Sequence, residues 1–341
     1  IFYWVQDNIR YIAFENGVMG FKPDAAQNVL KNKYGDCKGK ANLLKEMLKL
    51  AGIESRLTWI GTADLPYDYT LPSLAVDNHM ICTAIVGGKR YFLDGTEYYM
   101  ALNDYAERIQ GKQVLIEDGK NFIIDRVPVF TADHNKTKHI EKLTIIESAL
   151  DGTASVEFNG ESKSWLQSVF AMQRADKKDE VLAGFLKKGD DNLVITGIKH
   201  SEFTERQKPL QISYTLKASN QVTRTGKELY VVMDWDKEFG SMEMPADRVQ
   251  DYEFSQKYYI TVQKELTIPE GYKVDYLPAA VKKTFANYSF EGSYVQKGKV
   301  IVYSKTIVVN KAVLRKADFA AWNAFVADIS KFYNDQVVLT K

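Results

Sequence analysis

Residues 31–53 read KNKYGDCKGKANLLKEMLKLAGI, and the position of Cys37 in that stretch is what needs explaining. A structural cysteine behaves as a small hydrophobe and sits in apolar company. Cys37 instead follows Asp36, precedes Lys38 and Lys40, and has Gly35 and Gly39 close by. Beyond it Leu44, Met47, Leu48 and Ala51 recur at the period of an amphipathic helix. Gly52 suits the position just past that helix's end. Asp36 is a good N-cap, which predicts Cys37 in the first helical turn. There the unpaired N–H groups and the positive end of the helix dipole favour a thiolate over a thiol. The placement suits a nucleophile.

A cysteine nucleophile needs a base to take its proton and a third group to hold that base in its productive tautomer. The first 130 residues contain one histidine, His79. It heads the strand HMICTAIV (79–86), which Gly87-Gly88 joins to KRYFLDGT (89–96) in a strong hairpin signal. Pairing Val86 with Lys89 sets Asp94 opposite Ile81, on the face of His79 and diagonal to it. Diagonal cross-strand neighbours lie about 7–8 Å apart, within reach of a His–Asp hydrogen bond. A one-residue slip would move Asp94 to the other face. Cys82 stands three residues from His79 and so points the opposite way, beside Met80, Ala84 and Val86. It reads as a core thiol.

The flanking pattern is mixed α and β. Ile1, Val5, Ile9 and Ile12 repeat at helical spacing, with Phe2 and Trp4 adding bulk. A chain that opens inside an element is expected to be a piece of a longer protein. Asp24 with Gln27 predicts a capping box on a short helix from Ala25 to Asn32. A strand follows at 56–60, then a loop at 62–77 with Pro66 and Pro72. The polar segment TADHNKTKH (131–139) is the expected boundary. Beyond it short strands dominate, at 140–148, 153–158, 193–199, 210–217 and 227–233, with helices near 163–173 and 176–187. From about 249 strands return in YYITVQKELTI and KVIVYSKTIVV, before a last helix carrying Phe319, Trp322, Phe325, Val326, Ile329 and Phe332. Three domains are predicted: a core over 1–130, a β-rich domain with a helical insertion over 131–248, and a C-terminal β-domain with a terminal helix over 249–341. The fold class is α+β.

Composition agrees with a globular protein of several domains: 341 residues, 45% hydrophobic and 26% charged. A net charge of +1 gives no sign of a nucleic-acid or membrane-surface partner. No run approaches the roughly 18 apolar residues of a membrane span. Two cysteines cannot make a disulfide framework, and four scattered histidines do not suggest a zinc site.

GDCKGKANLLKEMLKLAGI followed by DNHMICTAIVGGKRYFLDGT resembles the transglutaminase core domain of the papain-like cysteine enzymes. That family places a Cys at a helix N-terminus, a His opening the next strand and an Asp on the strand after it. The resemblance runs from Gly35 to Thr96 and extends over 1–130. The opening FENGVMGFKPDAAQNVL and the β-rich tail resemble bacterial exported transglutaminase-like proteins with β-domains on both sides of the core. This implies a missing N-terminal β-domain and a periplasmic or cell-surface location. It also implies Cys37 as nucleophile, His79 as general base and acid, and Asp94 as the orienting residue.

The expected chemistry is thiol-dependent acyl transfer or hydrolysis at an amide or peptide bond, on a peptide or protein substrate. The Cys37 N–H is a natural oxyanion donor, and no second donor stands out. Tyr11, Tyr34 and Trp59 read as packing. The loop at 62–77 is the expected wall of the cleft. His134 and His139 fall in the presumed linker, and His200 follows a strand in a region without cysteine. The alternative from another class is a catalytically inactive scaffold that binds peptide or glycan. No cofactor or metal is expected. Large transglutaminases are calcium-controlled, yet the densest acidic run here, 189–192, reads as a turn and does not alternate as a calcium loop would.

Overall fold

Phe2–Asn8 forms α1, shorter than the spacing of Ile1 to Ile12 predicts, because Ile9 turns to extended backbone (φ −116°, ψ 110°). Val5 and Ile9 are buried nonetheless. Arg10–Tyr11 (β1) then pairs in parallel with Tyr34–Gly35 (β2), which draws the end of α1 beside the start of the cysteine helix. Ala26–Asn32 is α2, with Ala25 as its N-cap and no side-chain cap. The predicted capping box does not form: Asp24 Oδ1 instead accepts from Ala25 N (2.7 Å) and Asn28 Nδ2 (3.0 Å), one position too early to cap the helix. The computed structural model describes residues 1–13 and 17–341; residues 14–16, which open the FENGVMG stretch, lie outside the described residues.

Cys37–Leu50 is α3. Five strands follow: Glu54–Ile60 (β3), His79–Val86 (β4), Lys89–Leu93 (β5), Gln113–Asp118 (β6) and Asn121–Arg126 (β7). They form one antiparallel sheet in the order β5-β4-β3-β6-β7. Gly87 and Gly88 both have positive φ (58° and 78°), as a tight hairpin turn requires. One face of the sheet joins Met80, Cys82, Ala84 and Leu93 to α1, α2 and α3 through Val5, Val29, Leu43, Leu44 and Leu48. Fully burying each such leucine stabilises the fold by roughly 2 kcal/mol. Ile60, Ile81, Phe92, Val114 and Ile116 form a second core with Tyr105, Ile109 and Val127. Residues 1–130 are one compact unit.

Residues 131–341 are the other unit, and the expected boundary at 248/249 does not divide it. Its eight-stranded sheet runs Leu193–His200, Leu210–Ala218, Ala149–Phe158, Lys136–Ile146, Tyr258–Thr267, Val300–Val309, Tyr288–Lys297, Val281–Phe285. The seam between the predicted second and third domains is a parallel pairing, Tyr259 with Lys136 through Thr267 with Thr144. All other neighbours in this sheet are antiparallel. The terminal helix Phe319–Tyr333 buries the predicted aromatic and aliphatic stripe. At Gly292 a Cβ would stand 2.5 Å from the Phe332 ring, so the strand admits the helix only without a side chain. The polar segment 131–139 is not simply a linker, since the first strand of this sheet starts at Lys136 and includes His139. Among the described residues no helix is long and apolar enough to cross a membrane.

Candidate functional site

The local sequence around Cys37 folds as its residue types dictate. Asp36 caps α3 by accepting from Gly39 N at 2.8 Å. Gly35 and Gly39 are small because α2 lies on them: a Cβ at either position would meet Val29 methyls at 3.1 Å. Gly52 (φ 75°) turns the chain after the helix, with its N–H on Lys49 O and that of Ile53 on Leu48 O. The charges beside Cys37 are not solvated, as their type suggests, but buried. Lys38 pairs with Asp36 Oδ2 at 2.6 Å. The ammonium of Lys40 donates to Ile9 O at 2.6 Å, and burial, against the pull of Asp94, lowers its pKa to about 8. These two lysines tie the helix mouth to its own cap and to the end of α1.

The hairpin register matches the sequence reading. Val86 pairs with Lys89 and Cys82 with Leu93, so Asp94 is the next residue after β5. His79, Asp94 and Cys37 are all buried, at 5%, 4% and 5% exposure. His79 Nε2 and Asp94 Oδ2 are 2.8 Å apart. His79 also interacts with the Cys37 side chain, which favours the charged imidazole. With Nε2 engaged by Asp94, Nδ1 is the ring nitrogen left for the sulfur. The structure therefore brings the three predicted residues together in one chain of contacts.

Asp94 is saturated with donors. Its Oδ1 accepts from Thr96 N (3.0 Å) and Thr96 Oγ1 (2.6 Å). Its Oδ2 accepts from His79 and from Arg108 Nη2 (2.6 Å). Burial by itself would raise the Asp94 pKa, but His79, Arg108 and Thr96 hold it well below the ordinary carboxylate range. Burial by itself would lower the His79 pKa, yet the Asp94 charge and hydrogen bond, with the Cys37 side chain, raise it to about 9. Burial pushes the thiol of Cys82 up to about 12. Cys82 lies on the sheet face that α3 covers, in the same apolar cluster as Cys37 but fully enclosed.

Several neighbours were not singled out from sequence. Arg108, Thr96 and Glu97 sit in the irregular stretch between β5 and β6, where no period marks them. Glu97 Oε1 accepts from Arg108 Nε at 2.8 Å, and burial beside Asp94 raises its pKa. The 62–77 loop leaves β3 and returns at Asn78, next to His79. Its ends are clamped by Thr62 N on Asn78 Oδ1 (2.9 Å) and Asn78 Nδ2 on Thr62 Oγ1 (2.8 Å). Tyr69 hydroxyl, bonded to Asp77 and to Trp59 O (3.0 Å), pins its middle. Of the aromatic residues read as packing, Trp59 does pack on the α3-side core. Tyr11 and Tyr34 are more exposed, at 36% and 38%. His139 sits in a strand and His200 packs against Phe170 and Phe203. Among the described residues no three His, Cys, Asp or Glu side chains gather as a metal would require.

The transglutaminase-like superfamily model matches residues 1–90, a span that holds Cys37 and His79 and ends four residues before Asp94. Residues 1–90 are thus similar to a transglutaminase-like core. A second family model, described as a domain of unknown function with solved structure (DUF3858), matches residues 231–339. Among solved structures, a protein of Parabacteroides distasonis named a "putative protease" superposes with a TM-score of 0.55 at 14% identity. The match covers 99% of this chain and 50% of that one, so the chain spans half the length of its structural neighbour. The likeness shows a common fold for the transglutaminase-like core and the β-rich unit after it. The comparison with curated proteins gives no match.

Proposed function

We propose that the transglutaminase-like core is a thiol-dependent enzyme acting at an amide or peptide bond, with Cys37 as nucleophile, His79 as general base and acid, and Asp94 as the residue that orients His79. The observation that carries this reading is the buried His79–Asp94 pair at 2.8 Å, with Cys37 buried in the first turn of α3 and its side chain interacting with His79. Asp94 fixes the ring through Nε2 and leaves Nδ1 to receive the thiol proton. The thiolate then adds to the carbonyl carbon of a peptide or carboxamide, and the electron pair of the C=O bond moves to oxygen. Of the first-turn N–H groups of α3, that of Gly39 is taken by Asp36, and the Cys37 N–H, which has no partner within the helix, is the donor for such an oxyanion. Losing one oxyanion donor typically costs about 100- to 1,000-fold in rate. Collapse of the adduct expels the amine, which takes its proton from the His79 imidazolium, and leaves a thioester on Cys37. Water or a second amine resolves the thioester, giving its proton back to His79.

The test is to incubate the full chain with peptides bearing internal amide bonds and glutamine carboxamides, quench in acid, and measure intact mass. The expected result is an acyl adduct on Cys37, with product release, and neither in Cys37→Ala. Product formation that persists in Cys37→Ala overturns the reading. Peptide binding with no adduct and no product would instead assign the core to a binding scaffold.

A further inference from the structure

We propose that Arg108 is a positioning residue of this site, holding the Asp94 carboxylate in place and, by standing beside His79, setting the pH range over which the imidazole keeps its proton. The proposal rests on the triad reading above.

Arg108 lies 14 residues beyond Asp94, and its side chain, 37% exposed, reaches back over the His–Asp pair. Nη2 donates to Asp94 Oδ2 at 2.6 Å and to Thr96 Oγ1 at 3.0 Å, while Nε donates to Glu97 at 2.8 Å. Thr96 in turn holds the other oxygen of Asp94 through its N–H and hydroxyl. The carboxylate is thus gripped at both oxygens by groups other than His79, so its plane does not depend on the ring that it orients. The planar, forked guanidinium suits this task better than an ammonium would.

The same Nη2 stands 3.4 Å from His79 Nε2. That nitrogen carries the proton donated to Asp94, so the contact places a positive charge beside the imidazole without a hydrogen bond between them. The charged groups facing His79 are Cys37 from α3, Asp94 from the end of β5, and Arg108 with Glu97 from the stretch before β6. Lys40, also on α3, faces Asp94. A buried carboxylate acting alone would make the imidazolium too stable to give its proton to a leaving amine, since a useful catalytic acid titrates near the working pH. Arg108 opposes that pull, and it lowers the His79 pKa that Asp94 and Cys37 raise. Glu97, paired with the guanidinium, sets how much of that opposition His79 feels.

Opposite signs for two substitutions separate this from a purely structural clamp. The His79 imidazole is followed by nitrogen-15 NMR titration of the full chain. Arg108→Gln should move the midpoint upward, by about one pH unit or more for loss of a unit charge at this range. Arg108→Lys keeps the charge and should stay nearer the wild type. Glu97→Gln frees the guanidinium from its countercharge and should move the midpoint downward. The alkaline limb of Cys37 alkylation should shift in the same directions. A midpoint that stays or falls in Arg108→Gln overturns the proposal. If that variant does not fold, Glu97→Gln failing to lower the midpoint overturns it equally. The triad reading fails separately, if His79 of the wild type titrates near 6.5 and Asp94→Asn leaves it there.

Discussion

His79 and His139 are the same residue type moved in opposite directions. Each loses solvent, which alone lowers an imidazole pKa. His79 looks at Asp94 and rises to about 9. His139, half-buried in the second unit, is pushed down to about 3 by desolvation and by the ammonium groups of Lys188, Lys264 and Lys305, against the pull of Asp236. The difference teaches that enclosure alone does not set a histidine's charge; the sign of the charge that faces it does. The second unit in fact encloses more charge than the site. Lys305 Nζ pairs with Asp234 Oδ2 at 2.8 Å and Asp236 O at 2.6 Å, and Tyr303 hydroxyl donates to the same Asp234. Lys264 pairs with Glu141 at 3.3 Å and lies over the Trp235 ring. There, ion pairs and aromatic rings close over one another in the core of a sheet. In the first unit the chain of charges ends on a thiol at a helix mouth.

The comparison breaks first at Lys305. Replacing it by Met leaves Asp234 buried without its countercharge, with the Tyr303 hydroxyl still on it, which should cost about 3–5 kcal/mol in the unfolding of the second unit. Reactivity of Cys37 in the folded fraction should be unchanged. Thermal melts and alkylation rates measured on the same preparation check both halves, and a Cys37 rate that falls with Lys305→Met would show that the two regions are not independent.

Smaller and opposite effects are expected from pH. Folded His79 binds its proton more tightly than the unfolded chain, whose histidine titrates near 6.5. Its contribution to stability is therefore complete below pH 6.5 and is lost as pH rises through about 9. Folded His139 refuses the proton that its unfolded form accepts, so stability falls as pH drops from about 6.5 towards 3. Each slope is at most about 1.4 kcal/mol per pH unit. Denaturant melts of His79→Gln should lose the first slope, and those of His139→Gln the second. Slopes of the same sign would contradict the account.

Much of the site was legible because its signals are local. Asp36 before Cys37, an apolar helical period and Gly52 after it fix a capped helix; a Gly-Gly turn fixes the register that delivers Asp94 to His79. What was missed is tertiary. Arg108 returns to the site from irregular chain, and nothing in its own neighbourhood says so. Lys38 and Lys40 were noted only as charges beside Cys37, whereas they are buried against Asp36 and Ile9 O, partners that only packing supplies. The helix from Ala25 was legible while its cap was not, since Asp24 and Asn28 bond each other instead. In the second unit the strands named from sequence were located within a few residues, while others, Val281–Phe285 and Tyr288–Lys297 among them, were not singled out. The parallel pairing of Lys136–Ile146 with Tyr258–Thr267 joins residues 123 apart and leaves no pattern in either segment, so one unit read as two.

The central claim is that His79 activates Cys37 and that Cys82 is mere core, and competitive alkylation tests it most directly. Folded protein is treated with limiting iodoacetamide at pH 6 to 7, with and without excess EDTA, and the label is mapped by peptide mass spectrometry. Cys82 is fully enclosed, and its thiol is held protonated up to about 12. The account predicts label on Cys37 well before Cys82, at a rate that EDTA leaves unchanged and that His79→Ala slows while the fold is retained. Equal labelling of the two cysteines, or a Cys37 rate indifferent to His79→Ala, would contradict it.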